Sequence, residues 1–250
     1  MPEGRGGKAG ARKIWARVLA ALAVLLVAGV AGVAVAYPSV AATTCPGCYG
    51  LTELRPGVYT EEGLSAGQRS QVAQVTEAAT ERVAGFYGSR RSSPRLLVCV
   101  TDECYRHIGG GRERGIAVLD RSVMLSPRGV DAVIASHEMS HVELHARLAS
   151  GVEVPQWFDE GLAVVVSDDR RYLAPPSAPD RCLAEPGTAL PVTLDQWLHA
   201  AGADVSTYAK AACGVSRWLR SNGDRDGLLE LIDRLNAGES FASMVTNRRS

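Results

Sequence analysis

The sequence predicts an α+β domain that follows an N-terminal transmembrane helix. Three observations indicate this class: an uncharged apolar run near the start, short apolar strands between residues 96 and 125, and a series of helices after them. The 250 residues suffice for one domain of ordinary size, and 46% of them are apolar. The 27 basic residues are balanced by 27 acidic ones, so no basic surface favours a nucleic acid partner.

The apolar run at 18–36 contains only Ala, Val, Leu and Gly. A helix of this length nearly crosses the hydrocarbon layer of a bilayer. We expect residues 1–13 to form a basic cytoplasmic head and 14–36 a transmembrane signal anchor, because basic residues precede the run and none follows it closely. The protein is then a single-pass cell-membrane protein with an extracytoplasmic domain. The alternative is a signal peptide cleaved after Ala34-Val35-Ala36, which would release a secreted protein.

The six cysteines form an even set in an exported chain, which favours disulfides over free thiols. Proximity in sequence suggests the pairs Cys45–Cys48, Cys99–Cys104 and Cys182–Cys213. Cys45-Pro46-Gly47-Cys48 also has the spacing of a redox C-x-x-C motif, which would make the protein a thiol–disulfide exchanger. No βαβ pattern surrounds this motif, so a structural clip is the favoured interpretation.

The folded domain is expected at 65–250, after a linker or stalk at 37–64 that is rich in Pro, Gly and Thr. Ser65 is a candidate cap for a helix that ends near Gly88, and Thr101 for a short helix that ends at His107. Strands are predicted at 96–100, 116–119 and 122–125. Helices are predicted at 130–148, 155–166, 195–201, 206–221, from Asp224 or Asp226 onward, and at 241–245.

The helix at 130–148 carries the motif H-E-x-x-H at residues 137–141. His137 and His141 lie four residues apart, so both imidazoles project from one face and can share one zinc ion. Glu138 lies beside the first ligand, where it can take a proton from a zinc-activated water that attacks a carbonyl. The metzincin pattern fails, because Leu144 and Arg147 stand where it requires glycine and histidine.

A second motif lies on the following helix, 18 residues after His141. Together, His137-Glu138-x-x-His141 and Trp157-Phe158-x-Glu160-Gly161-x-Ala163 resemble the gluzincin peptidases, particularly the aminopeptidase-N-like and peptidase-MA-like families. The resemblance implies a zincin-like catalytic domain over 65–250 and zinc (Zn2+) as its cofactor. It also implies that His137, His141 and Glu160 hold the metal and that Glu138 is the catalytic base.

The resemblance extends to Tyr208-Ala209-Lys210-Ala211, which looks like a Tyr-x-Lys-Gly segment in aminopeptidase-like members. It implies that Tyr208 stabilises the oxyanion of the reaction, although Ala211 stands where the family has glycine. The Gly-x-Met-Glu-Asn segment that grips a substrate's free amine has no counterpart at 115–125. Exopeptidase specificity is therefore not implied.

The sequence thus predicts a membrane-anchored, extracytoplasmic zinc metallopeptidase that acts on a peptide or protein substrate. The alternative is a catalytically silent, peptidase-like binding or assembly module with a structural zinc, against which the intact Glu138 argues. Asp159 either steadies a ligand histidine or is an ordinary surface acid, and His145 is a fourth ligand, an outer partner of the site or a polar helix end. Glu143 and the turn at 168–171 are expected to be solvated.

Overall fold

The computed structural model describes residues 34–187 and 189–246, together with Trp15 and a few residues between 18 and 32. No helix among these residues is both long and apolar enough to cross a membrane. The basic head at 1–13 and most of the segment at 14–36 lie outside the described residues, so the transmembrane anchor stays a prediction.

The fold combines helices with one five-stranded sheet, which confirms the mixed class expected from the sequence. The strands are β1 (Leu51–Arg55), β2 (Val58–Glu61), β3 (Arg95–Val98), β4 (Gly115–Val118) and β5 (Ser122–Leu125). Their order in the sheet is β1-β2-β3-β5-β4. The two outer pairs are antiparallel, whereas β2–β3 and β3–β5 are parallel. Among the described residues, β4 is therefore an edge strand that pairs only with β5.

The helices lie mainly after the sheet, as the sequence predicts. They are α1 (Pro38–Thr44), α2 (Ala66–Tyr87), α3 (Asp102–His107), α4 (Ala132–His145), α5 (Gln156–Ser167), α6 (Leu194–Ala203), α7 (Thr207–Asn222), α8 (Asp224–Asn236) and α9 (Phe241–Thr246). Short 3₁₀ turns occupy Pro46–Tyr49 and Pro127–Gly129. The predicted helix starts are confirmed: Ser65 forms a capping box with Gln68, and Thr101 accepts a hydrogen bond from the amide of Cys104.

Residues 37–64 are not the linker or stalk that the sequence predicts. They form α1, a 3₁₀ turn and the hairpin of β1 and β2. In β2, Val58 and Thr60 are buried whereas the residues after each are half-buried. The strand pairs with β1 in the hairpin and with its parallel partner β3, about 40 residues further along the chain. Arg95 at the start of β3 also donates hydrogen bonds to the carbonyls of Thr43 and Thr44, which fixes the end of α1.

The sheet is covered on both faces, and β3 shows how. Leu96 and Val98 point into the main core, which α2, α4, α5, α7 and α8 share. Leu97 and Cys99 point into a smaller core on the opposite face, beneath α1 and α3. Side chains that alternate between two apolar layers explain why this strand reads as a continuous apolar run. Helix α4 therefore lies on one face of the sheet, beside its β4 edge.

All three disulfide pairs suggested by sequence proximity are confirmed: Cys45–Cys48, Cys99–Cys104 and Cys182–Cys213. The first joins the end of α1 to the following 3₁₀ turn, in keeping with a local clip. The third joins the irregular segment after α5 to the middle of α7. No cysteine is free.

Candidate metal centre

Helix α4 presents two histidines from one face, as their spacing predicts. Asp131 caps the helix by accepting hydrogen bonds from the amides of Val133 and Ile134, at 2.7 and 3.3 Å. The rings of His137 and His141 meet edge to face, with their centroids 4.9 Å apart. Both side chains are largely buried, with 13% and 12% of their surface exposed.

Glu160 of α5 completes a three-residue cluster with these histidines. Its Oε2 lies 3.4 Å from Nε2 of His137 and 3.8 Å from Nε2 of His141. The ligand atoms of all three residues fall within 4.8 Å of one another. The side chains that the sequence predicts as metal ligands are thus brought together.

A metal site can also be recognised by a buried polar atom that has no hydrogen-bond partner when no ion is present. Gln156 donates a hydrogen bond to Oε1 of Glu160 at 3.3 Å, but Oε2 has no hydrogen-bond partner among the described residues. A buried carboxylate oxygen left in this state is costly, unless something else neutralises it. Two imidazole nitrogens and one carboxylate oxygen form a donor set that zinc accepts. The three residues therefore fit a metal ion.

The ionisable groups of the cluster shift one another's pKa values. Burial tends to raise the pKa of Glu160, but the polar contact with His137 and the charge of His141 outweigh it and lower the pKa. Glu138 shows the opposite balance, because burial raises its pKa and the two histidines offset this only in part. The cluster therefore holds one carboxylate that stays ionised and one whose proton affinity is increased.

Glu138 lies between the histidines and the edge strand β4. The backbone of Ala117 in that strand slightly offsets the rise in the pKa of Glu138 that burial causes. Gly115 makes the approach possible, since a Cβ there would lie 2.8 Å from Cγ of Glu138. The predicted base therefore lies next to the candidate ligand His137 on α4 and against the edge strand β4.

Asp159 precedes Glu160 and contacts the other side of the histidine row. Its Oδ1 lies 2.7 Å from Nδ1 of His141, and its Oδ2 lies 2.8 Å from Nε2 of His145. Burial tends to raise the pKa of Asp159, but the charge and hydrogen bond of His141, followed by those of His145, lower it well below its usual range. Asp159 is therefore not an ordinary surface acid, because it is buried and holds His141, one of the three residues that could bind a metal ion. His145 does not join the metal-ligand cluster.

Tyr208 lies in the first turn of α7, next to the cluster. Its ring centroid is 6.3 Å from that of His137. Tyr172 stacks on it at 5.0 Å and Trp197 packs edge-on at 4.9 Å, two neighbours that the sequence analysis did not identify. Burial, followed by the charge of Glu160, raises the pKa of Tyr208. The phenol therefore keeps its proton and remains a hydrogen-bond donor.

The position of Tyr208 depends on how closely α5 and α7 approach each other. A Cβ on Gly161 would lie 2.6 Å from the carbonyl oxygen of Ala211 and 2.8 Å from Cγ2 of Val215. Only glycine allows the two helix backbones to meet at this distance. The glycine that follows Glu160 therefore has a packing reason, which the motif itself does not reveal.

Two acids expected to be solvated, Glu143 and Asp169, are buried instead. Glu143 is fully buried and accepts hydrogen bonds from the amides of Arg91 and Ser92, the hydroxyl of Ser92 and Nε of Arg147. In the turn at 168–171, Asp169 is 1% exposed and pairs with Arg171. The desolvation cost of burying each carboxylate is offset by hydrogen bonds from an arginine and from backbone amides. The one local signal was the spacing of Glu143 and Arg147, four apart on a helix.

Comparison with models of known protein families, with curated proteins and with solved structures finds no match for this chain. The interpretation of the site therefore rests on its own residues and geometry.

Proposed function

We propose that this protein is a zinc metallopeptidase of the gluzincin type, with a zincin-like catalytic domain. One observation carries the proposal. The buried Oε2 of Glu160 lacks a hydrogen-bond partner among the described residues and lies 3.4 and 3.8 Å from the Nε2 atoms of His137 and His141. The H-E-x-x-H spacing then adds a glutamate, Glu138, at the position of a general base.

His137, His141 and Glu160 would hold the zinc ion. When bound, zinc supplies Lewis acidity that lowers the pKa of a coordinated water and polarises the substrate carbonyl. Glu138 takes the proton of the attacking water and delivers it to the leaving amine. Burial raises the pKa of Glu138, which increases its affinity for the transferred proton. Tyr208 donates a hydrogen bond to the charge that develops on the carbonyl oxygen.

The substrate is a peptide or protein segment in extended conformation. In the part of the chain that the structure describes, β4 has only one neighbouring strand, β5, so its outer edge offers backbone groups for pairing. Glu138 packs against this strand at Gly115, so a peptide paired with the strand would lie near the proposed base. No glutamate in β4 or β5 is available to grip a free amine, so the proposal makes no claim to exopeptidase specificity.

The domain works outside the cytoplasm in this proposal, on the single-pass anchor expected at 14–36. Three disulfides support an oxidising compartment. Trp15, Leu19 and Leu22 are 67%, 62% and 56% exposed, which suits an apolar surrounding. Alkaline extraction of cell membranes distinguishes the anchored protein, which stays in the pellet, from a secreted product cleaved after Ala36.

The decisive experiment compares the purified chain with Glu138→Gln, using Glu81→Gln on the exposed side of α2 as a matched control. We expect about one zinc per chain in all three, measured by mass spectrometry of the metal. Digestion of a peptide library should fall about 10²-fold or more in Glu138→Gln and stay unchanged in the control.

Other outcomes separate the alternatives. Zinc in all three forms with no cleavage by any of them would favour the binding or assembly module with a structural zinc. Absence of zinc from the wild-type chain after dialysis against micromolar metal would refute the proposed site.

A further inference from the structure

The two nitrogens of His141 have different neighbours, and this difference decides how the ring can bind a metal. Nε2 faces Oε2 of Glu160 at 3.8 Å, inside the candidate metal cluster. Nδ1 lies 2.7 Å from Oδ1 of Asp159, outside it. An ionised carboxylate can only accept, so Nδ1 must carry a proton and donate it. When the ring is neutral, its lone pair is then on Nε2, where the metal would bind in place of a proton.

The carboxylate of Asp159 is itself held from its second oxygen. Nε2 of His145 lies 2.8 Å from Oδ2, so Asp159 is bound between two histidines one helical turn apart on α4. The Asp159 side chain is 9% exposed. Without His145, its only other hydrogen-bonding side chain among the described residues is the one it is meant to orient, His141.

The surroundings of the His145 ring constrain it little apart from the contact with Asp159. Its side chain is 29% exposed and lines a surface cavity of about 560 Å³ together with Asp120 and Val142. The nearest acid on that side, Asp120, lies 3.8 Å from Nδ1 of His145, beyond ordinary hydrogen-bond distance. Within the described ranges, the ring therefore has one short polar contact, and it is with Asp159.

We propose that His145 is a positioning residue that holds the Asp159 carboxylate in the orientation that fixes His141, and that this clamp strengthens metal binding. The clamp consists of His145, Asp159 and His141, and it rests on the proposed function because it assumes that His141 binds zinc. Outer hydrogen-bond partners of ligand histidines typically change metal affinity by about 10- to 100-fold. Because His145 acts only through Asp159, the losses of zinc affinity caused by replacing the two residues should not add.

The test is the zinc affinity of the full chain, measured by competition with a chromogenic chelator. We expect His145→Leu to weaken zinc binding about 10-fold, and Asp159→Asn by at least as much. His145→Gln, whose amide can still donate to Asp159, should stay within about threefold of the wild type. In the Asp159→Asn background, His145→Leu should cause no further loss. His107→Leu, on the exposed side of α3, is the control and should bind zinc normally.

A second measurement needs no substitution. Long-range ¹⁵N–¹H correlations in the zinc-loaded wild-type chain should show a proton on Nδ1 of His141 and on Nε2 of His145. Thermal unfolding of each metal-free variant shows whether it is folded.

The clamp is overturned if His145→Leu binds zinc as tightly as the wild type, or if its effect adds in full to that of Asp159→Asn. A proton on Nδ1 but not on Nε2 of His145 would also overturn it. These results differ from failure of the proposed function, in which the wild-type chain itself would not bind zinc and the clamp would fall with it.

Discussion

The buried pair of Glu143 and Arg147 allows a prediction with a matched surface control. Their contact, Nε to Oε1, is 2.8 Å, and the two side chains are 0% and 4% exposed. Glu143→Gln keeps the shape of the side chain but removes the charge that faces Arg147. Breaking one partner of a buried ion pair typically costs about 3–5 kcal/mol, because the other charge is left in a poorly solvated place. For a domain of this size the melting temperature should fall by roughly 10 °C.

The surface control is Glu77→Gln. Glu77 pairs with Arg55 at 3.1 Å, but its side chain is 57% exposed. The same chemical change should therefore alter stability by less than about 1 kcal/mol. Thermal and urea unfolding of the metal-free variants, followed by circular dichroism, measure both effects. Equal melting temperatures for Glu143→Gln and Glu77→Gln would refute the reasoning, since burial is the main difference between the two pairs.

Three further predictions concern the neighbourhood of the site. Gly161→Ala puts a methyl group 2.6 Å from a backbone oxygen of α7, so it should destabilise the domain by about 1–3 kcal/mol in an unfolding assay. The control is Gly85→Ala in the open part of α2, which should be neutral or stabilising in the same assay. Tyr208→Phe should lower kcat about 10²-fold with zinc content unchanged, and an unchanged kcat would remove the tyrosine from the mechanism. Replacing Cys182 and Cys213 by serine opens a loop of sequence separation 31 and should lower the free energy of unfolding by about 3–4 kcal/mol, measured with denaturant. A decrease below about 1 kcal/mol would contradict the loop-entropy argument.

The features that sequence could predict depend on residues close to one another in the chain. Ser65 and Gln68 form a capping box across three residues, and the three disulfides join cysteines that are successive in sequence. The spacing of His137 and His141 fixes their common helix face. Glu160 required only that the next helix pack against α4, which a short connection favours.

The features that sequence analysis missed depend on partners far along the chain. Strand β2 contains Tyr, Thr and Glu, and its pairing with β3 became visible only in the fold. Glu143 reads as a solvated helix position until the amides at 91 and 92, about 50 residues earlier, are placed against it. Asp159 had two interpretations of equal merit because its choice depends on how α5 rotates about its axis. A hydrophobic pattern sets such a rotation only approximately.

The three disulfides also determine what would happen to the chain if it were cut. Two of them lie before residue 105 and the third lies after α5, so none spans the connection between α4 and α5. A single cleavage at 149–151 would yield two polypeptides held together only by noncovalent contacts, such as packing and the hydrogen bonds of Asp159 with His141 and His145. One would carry His137 and His141, and the other Glu160. The candidate metal centre would then exist only in the reassembled pair, which makes the domain a natural candidate for fragment complementation with metal binding as the signal.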